Sequence, residues 1–277
     1  MPHVGEDHGF LIATHPKQTP TQKAPLVKRF LLSSLPTELY LELKWHHCKL
    51  FDKRLFESLQ KKRQVVTTDS YSFKPFDDKK AIFVHIPKCA GVSVCRILFG
   101  NLAGGHTTLS LYCNVFEPKK FLRYFKFAFV RNPWDRLVSA YHFLRSGGFC
   151  DDDRQWFKRE LSGYNDFDDF VRHWVTEENV LKYRHFWPQS HYLVDRNNPG
   201  VTVDYIGFFE NIDDDFHHVA RILGVEAELP RSNESAHRDY KAYYSAETRR
   251  IVEIVYEEDI NRFGYDFDNL AIPRRRS

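Results

Sequence analysis

One stretch constrains the fold more than any other: Ala81-Ile-Phe-Val-His-Ile-Pro-Lys-Cys-Ala-Gly-Val-Ser93. A mostly apolar run, Ala81 to Ile86, enters Pro87 and Lys88. The small residues Ala90 and Gly91 follow, then Ser93 and the largely apolar run Val94 to Phe99. This spacing predicts a buried strand, a tight turn and a helix start. A lysine-bearing turn of this kind is a natural anion site, because the N–H groups of the turn and the first helical turn lack partners within the helix. Gly91 permits close backbone approach, and Lys88 adds a mobile positive charge. The same residues also fit an ordinary strand-to-helix turn with a surface lysine. They are not a Walker A loop, which needs Gly-x-x-x-x-Gly-Lys-Ser/Thr; here the lysine precedes the segment's only glycine.

A chain of 277 residues is long enough for one sizeable α/β domain with an N-terminal extension. Residues 1–78 read as that extension, partly loose and partly structured, residues 79–270 as the main domain, and residues 271–277 as a basic tail ending on Arg274-Arg275-Arg276. Residues 1–25 are polar and carry Pro2, Pro16, Pro20 and Pro25. Between residues 26 and 65, Leu39, Leu41 and Leu43 alternate with polar neighbours, which fits a short strand, while one or two helices fit the wider segment.

In the main domain, Ala81–Ile86 is the first predicted strand and Val92–Phe99 its helix. Phe125–Val130 is the second strand. Asn132 then caps a helix that begins at Pro133 and stops at Gly147-Gly148, since asparagine at N-cap with proline at N1 is a strong start signal. Asp166–Val175 is predicted helical, Asp204–Phe209 is a third strand, and Asp213–Leu223 is an amphipathic helix with Phe216, Val219, Ala220 and Leu223 on one face. Ser245 caps a last helix carrying Ile251, Ile254, Val255 and Ile260. Strands alternating with helices imply a parallel sheet covered on both faces. Ligands of such sheets bind beyond the carboxyl ends of the strands, where Lys88 and Arg131 both fall.

The bulk numbers exclude several classes. A formal net charge of +3 does not announce a nucleic-acid binder. The 24 Phe and 14 Tyr point to an aromatic-rich core. Cys48, Cys89, Cys95, Cys113 and Cys150 form neither a disulfide framework nor a zinc pattern, which fits a reducing compartment. His46-His47-Cys48 does not make a metal site, because adjacent residues on one element diverge in direction. No apolar stretch reaches the 18 residues of a membrane span, and Glu6, Asp7 and His8 interrupt any signal-like region. The expectation is a cytoplasmic protein without a membrane anchor. Asp151–Asp153 and Asp213–Asp215 read as solvated acids at turns and helix starts rather than metal ligands.

The second chemical segment is Phe129-Val-Arg-Asn-Pro-Trp-Asp-Arg-Leu-Val-Ser-Ala-Tyr141. Arg131 lies between strand end and helix cap, and Ser139 about two turns into the helix. A guanidinium folded back along the helix can share one phosphate with that hydroxyl. Alternatively, Arg131 pairs with Asp135, Ser139 faces another helix, and Arg136 makes a salt bridge. With Lys88, the pattern offers two anion sites at one sheet edge, which suits a nucleotide with separated phosphates better than a triphosphate chain.

These residues resemble those of a known family. His85-Ile-Pro-Lys-Cys-Ala-Gly-Val-Ser93 is similar to the 5′-phosphosulfate loop of the sulfotransferase-2 type carbohydrate sulfotransferases, and Phe127–Tyr141 to their 3′-phosphate motif. The resemblance continues through Pro188-Gln189, Tyr205–Asn211 and Asp259–Tyr265, so it covers about residues 81–265. It implies a P-loop-like α/β fold and transfer of a sulfuryl group from 3′-phosphoadenylyl sulfate (PAPS) to a hydroxyl acceptor, a sugar by analogy, without a metal. It places Pro87, Lys88, Cys89, Ala90, Gly91, Val92 and Ser93 around the 5′-phosphate, and Arg131 and Ser139 on the 3′-phosphate. Ser235 and Arg238 fall in a late segment that closes over the nucleotide. Val92 departs from the pattern, which usually has threonine there.

Lys88 would then stabilise the leaving phosphate. A histidine suits the proton of the acceptor hydroxyl, and His106 is the only one between Lys88 and Arg131, where glycosaminoglycan members of the family place their base. Gln189 and His191 are candidate substrate contacts, with packing as the alternative. Two competing functions are a P-loop-type kinase, which needs a Walker lysine–hydroxyl pair, and a non-catalytic nucleotide-binding module.

Overall fold

The computed structural model describes residues 31–65, 71–229 and 239–269. In chain order its elements are α1 (Thr37–Phe51), α2 (Lys53–Gln64), α3 (Lys74–Lys79), β1 (Ala81–Phe83), α4 (Gly91–Phe99), α5 (Leu109–Val115), α6 (Pro118–Arg123) and β2 (Phe125–Val130). There follow α7 (Pro133–Arg145), α8 (Asp151–Glu160), α9 (Phe167–Trp174), α10 (Ser190–Leu193), β3 (Tyr205–Phe208), α11 (Ile212–Ile222), α12 (Ala246–Val255) and α13 (Glu257–Phe263).

The three strands pair in parallel in the order β1-β2-β3. Ala81 stands opposite Phe125 and Phe83 opposite Phe127; Phe127 in turn stands opposite Tyr205 and Val130 opposite Phe208. Every residue of β1 is buried. Since neighbouring strand residues point to opposite faces, both faces of the sheet are covered. The rings of Phe83 and Phe127 stack across the ladder at 5.0 Å, and Phe127 meets Phe129 edge-on at 6.1 Å. The aromatic richness therefore goes largely into the core. The fold is α/β, a small three-stranded parallel sheet flanked by helices.

The strand alternation at Leu39–Leu43 was misleading, because these residues lie in α1. The helix buries Tyr40, Leu41 and Cys48, roughly helical spacing, and leaves Leu39 and Leu43 about half exposed. Tyr40 and Lys44 both hydrogen-bond the buried Asp195, and Lys44 reaches Ser110 Oγ at 2.6 Å. From α2, Arg63 holds Asp77 and Glu117. Residues 37–64 thus share a core with the sheet. The reading of residues 1–25 falls outside the described residues, as does the Arg274–Arg276 tail. His46 and His47 are exposed while Cys48 is buried, so the three do diverge. Among the described residues no helix is long and apolar enough to cross a membrane.

The start of α7 matches its signal: Asn132 Oδ1 accepts from the Trp134 N–H at 3.0 Å and the Asp135 N–H at 3.4 Å. The last predicted helix is in fact two. Ser245 and Thr248 cap α12 reciprocally, but the chain turns at Tyr256, whose hydroxyl donates to the Phe186 carbonyl at 2.7 Å. That break starts α13 and carries Asp259 into the interior. The two acidic runs also need correction, because the third residue of each is buried. Asp153 accepts from the Phe149 N–H at 2.8 Å and from the Tyr183 hydroxyl, and Asp215 from the Phe208 N–H and Tyr205 hydroxyl at 2.6 Å each.

Candidate active site

Beyond β1 the chain stays extended and buried through Ile86, with the Val84 N–H still bonded to the Phe127 carbonyl at 2.9 Å. It then turns sharply. Lys88 and Ala90 both adopt left-handed backbone, with φ of 71° and 59°, a conformation that side-chain-bearing residues adopt at a penalty of about 1 kcal/mol. The first hydrogen bond of α4 joins the Val94 N–H to the Ala90 carbonyl at 3.2 Å. The N–H groups of Gly91, Val92 and Ser93 therefore lie outside the helix's own ladder. Gly91 is required here for a reason the sequence hides: a Cβ on it would lie 1.9 Å from the His85 ring. Cys89 is buried, its thiol 3.5 Å from Gln189 Oε1 and pushed up to about 12 by burial, so it is a neutral packing group.

Lys88 lies along α7. Its carbonyl accepts from Arg131 Nη1 at 3.2 Å, and its Nζ stands 4.1 Å from the centre of the Phe143 ring. Asp135, Ser139 and Phe143 follow one another at four-residue steps, a row along one side of the helix. The lysine thus spans the stretch in which the buried Ser139 sits. Burial, then the positive charge of Arg131, pushes the Lys88 ammonium down to about 8.

Arg131 does pair with Asp135, through Nε and Nη2, both at 2.8 Å. Phe209 covers its guanidinium at 4.1 Å. Arg136 makes no salt bridge among the described residues. It is buried and donates to the carbonyls of His185 at 3.1 Å and Trp187 at 2.6 Å.

A second layer of buried side chains fixes the Arg131–Asn132 turn. Gln189 is fully buried; its Oε1 accepts from the Arg131 N–H and its Nε2 donates to the Arg131 carbonyl, each at 2.9 Å. Glu210 accepts from the Asn132 N–H at 2.6 Å and from the Tyr265 hydroxyl at 3.0 Å. Asp259 accepts from the N–H groups of Gln189 at 2.6 Å and Ser190 at 2.8 Å. Burial raises the carboxyls of Glu210 and Asp259 above their ordinary range. Gln189 therefore clamps two backbone segments together, the packing role that was the alternative to a substrate contact.

Around Lys88 stands a chain of rings. Phe143 contacts His185 with centroids 5.1 Å apart, His185 contacts His106 at 5.5 Å, and His106 contacts His85 at 4.4 Å. His106 Nδ1 lies 3.3 Å from the His85 carbonyl. A carbonyl only accepts, so the proton of neutral His106 sits on Nδ1 and Nε2 carries the free lone pair. Burial, then the neighbouring His85 and His185, holds His106 well below the usual histidine range. Burial also brings His85 to about 4 and His185 to about 3, the latter despite the opposing pull of Asp153.

The structure thus brings together Lys88, Arg131, the Ser139 row and His106, and adds His85 and His185. His185 was signalled only by standing ahead of Phe186-Trp-Pro-Gln189. His191 is elsewhere, bonded to Arg196 and pushed down to about 4 by burial and that charge. Val92 is 38% exposed on the first turn of α4. Ser235 and Arg238 lie outside the described residues.

Comparison with known proteins places this arrangement in context. The sulfotransferase family model matches residues 71–266. Carbohydrate sulfotransferase 11 of Rattus norvegicus is 22% identical over 260 residues, covering 78% of this chain and 73% of that protein. A protein of Archaeoglobus fulgidus described only as uncharacterized is 32% identical over 126 residues, 44% of this chain and 88% of that one. No solved structure matches.

Proposed function

The chain belongs to the sulfotransferase family, and we propose that it transfers the sulfuryl group of PAPS to a hydroxyl of a carbohydrate acceptor. One observation carries the reading: Lys88 is held by its carbonyl on Arg131 while its Nζ reaches the ring chain that contains a neutral, correctly tautomeric His106. A cation for a departing phosphate and a base for an incoming hydroxyl are then joined through the Phe143 and His185 rings. The turn from Pro87 to Ser93 would cradle the 5′-phosphosulfate with its backbone N–H groups. Arg131 and Ser139 would take the 3′-phosphate. The strand, turn and helix at Lys88 also support a P-loop-like reading of the fold.

In the proposed step His106 Nε2 takes the acceptor proton as the hydroxyl oxygen bonds to sulfur. The bond from sulfur to the bridging oxygen breaks, and its electron pair leaves with the phosphate. Lys88 Nζ–H stabilises that developing charge. In-line placement of the reactants supplies much of the remaining acceleration.

The test is turnover with labelled PAPS over a panel of sugars and glycans. Lys88→Ala is expected to abolish transfer, and His106→Ala to lower turnover while sparing nucleotide binding. Near wild-type transfer in Lys88→Ala rejects the leaving-group role. Nucleotide binding without transfer to any acceptor favours the binding-module reading.

A further inference from the structure

The Arg131 side chain is already engaged. Of its five N–H donors, Nε and one on Nη2 go to Asp135 and one on Nη1 goes to the Lys88 carbonyl. Phe209 covers the flat of the group. A phosphate must therefore approach in the guanidinium plane and use the donors left over. A phosphate that uses the donor left on Nη2 shares that nitrogen with the Asp135 carboxylate and lies beside it. The pair is also poorly hydrated, with side-chain exposures of 6% for Arg131 and 14% for Asp135, so water screens the repulsion little.

We propose that Asp135 is a positioning residue that limits how tightly the 3′-phosphate end of the site holds its nucleotide. This rests on the reading that Arg131 and Ser139 take that phosphate. A bidentate carboxylate on arginine has nearly the geometry of a bidentate phosphate. Asp135 thus balances the Arg131 charge when the site is open and opposes the phosphate when it is filled. The same pairing keeps Nη1 on the Lys88 carbonyl, so the charge balance at Arg131 is tied to the position of the leaving-group lysine. The chemical consequence is product exchange. The desulfated adenosine 3′,5′-bisphosphate keeps the 3′-phosphate, and without a counter-charge it would leave slowly.

The experiment is calorimetric binding of adenosine 3′,5′-bisphosphate and adenosine 5′-monophosphate to the wild-type protein, Asp135→Asn and Ser139→Ala. Asp135→Asn is expected to bind the bisphosphate about tenfold more tightly, with the monophosphate unchanged. Ser139→Ala is expected to weaken the bisphosphate, the opposite sign. In turnover, Asp135→Asn is expected to lower kcat and KM for PAPS together. In melting curves the free variant should be less stable than wild type, and its gain on adding bisphosphate larger, because the buried arginine is left without a counter-charge. Unchanged or weaker bisphosphate binding by Asp135→Asn overturns the inference while leaving the proposed function standing. Failure of the wild type to prefer bisphosphate over monophosphate removes the proposed nucleotide site itself. Asp135→Ser removes the same charge with a smaller side chain and carries the same expectations if the asparagine variant does not fold.

Discussion

Gln189 closes both backbone hydrogen bonds of Arg131, one through each end of its amide, across 58 residues of sequence. Cys89 touches the same amide oxygen, so this one side chain joins the two halves of the site. Gln189→Leu keeps much of the volume and leaves the Arg131 N–H and C=O buried and unpaired. At about 1–3 kcal/mol for each of the two orphaned groups, urea denaturation should show a loss of roughly 2–6 kcal/mol. A loss within experimental error would mean that the amide is not what holds the turn.

Gly91→Ala should be severely disruptive although alanine favours helices, because the new Cβ would meet the His85 ring at 1.9 Å. Overpacking of this kind costs about 1–3 kcal/mol or more. The double variant Gly91→Ala with His85→Ala should recover much of the loss, since the clash is pairwise. Additive losses in a thermal or urea cycle would assign the glycine to backbone conformation instead.

The pH dependence of kcat/KM follows from two groups. Lys88, pushed down to about 8 in the free protein, loses its proton as pH rises through that value, and transfer should fall there. His106, held well below 6.5, stays neutral at pH 6, where an ordinary histidine is mostly protonated. The profile should therefore hold on the acid side and decline above about pH 8. A rate already halved near pH 6.5 with no alkaline decline would contradict both assignments.

Val92→Thr places a hydroxyl on the first turn of α4, at a position 38% exposed. One added hydrogen bond to a phosphate is worth about 1 kcal/mol, or about fivefold tighter binding of adenosine 3′,5′-bisphosphate. Calorimetry reads this directly; weaker binding would show that the valine methyl groups shape the turn.

What the sequence carried plainly was local. Apolar runs marked β1 and β2, and Asn132-Pro133 marked the start of α7, because strand burial and helix capping are decided within a few residues. The alternation at Leu39–Leu43 failed because it matches both periods until the buried partners of Tyr40 and Lys44 are known. The break at Tyr256 was hidden for the same reason: its hydroxyl answers to a carbonyl 70 residues away. In the site, Lys88, Arg131 and Ser139 were legible as residue types with a chemistry. The clamps were not. Gln189, Glu210 and Asp259 act by satisfying distant backbone groups, and a side chain that serves another segment's backbone leaves no periodic trace.

The left-handed turn at Lys88 and Ala90 has a consequence for engineering. Glycine at Ala90 would relieve the strain locally, yet it would also widen the set of shapes the loop can take. A ligand would then have to freeze that freedom at the moment of binding. A variant selected only for heat resistance thus gains nothing from easing this turn: the strained alanine already has its ordering entropy removed during folding, before any nucleotide arrives.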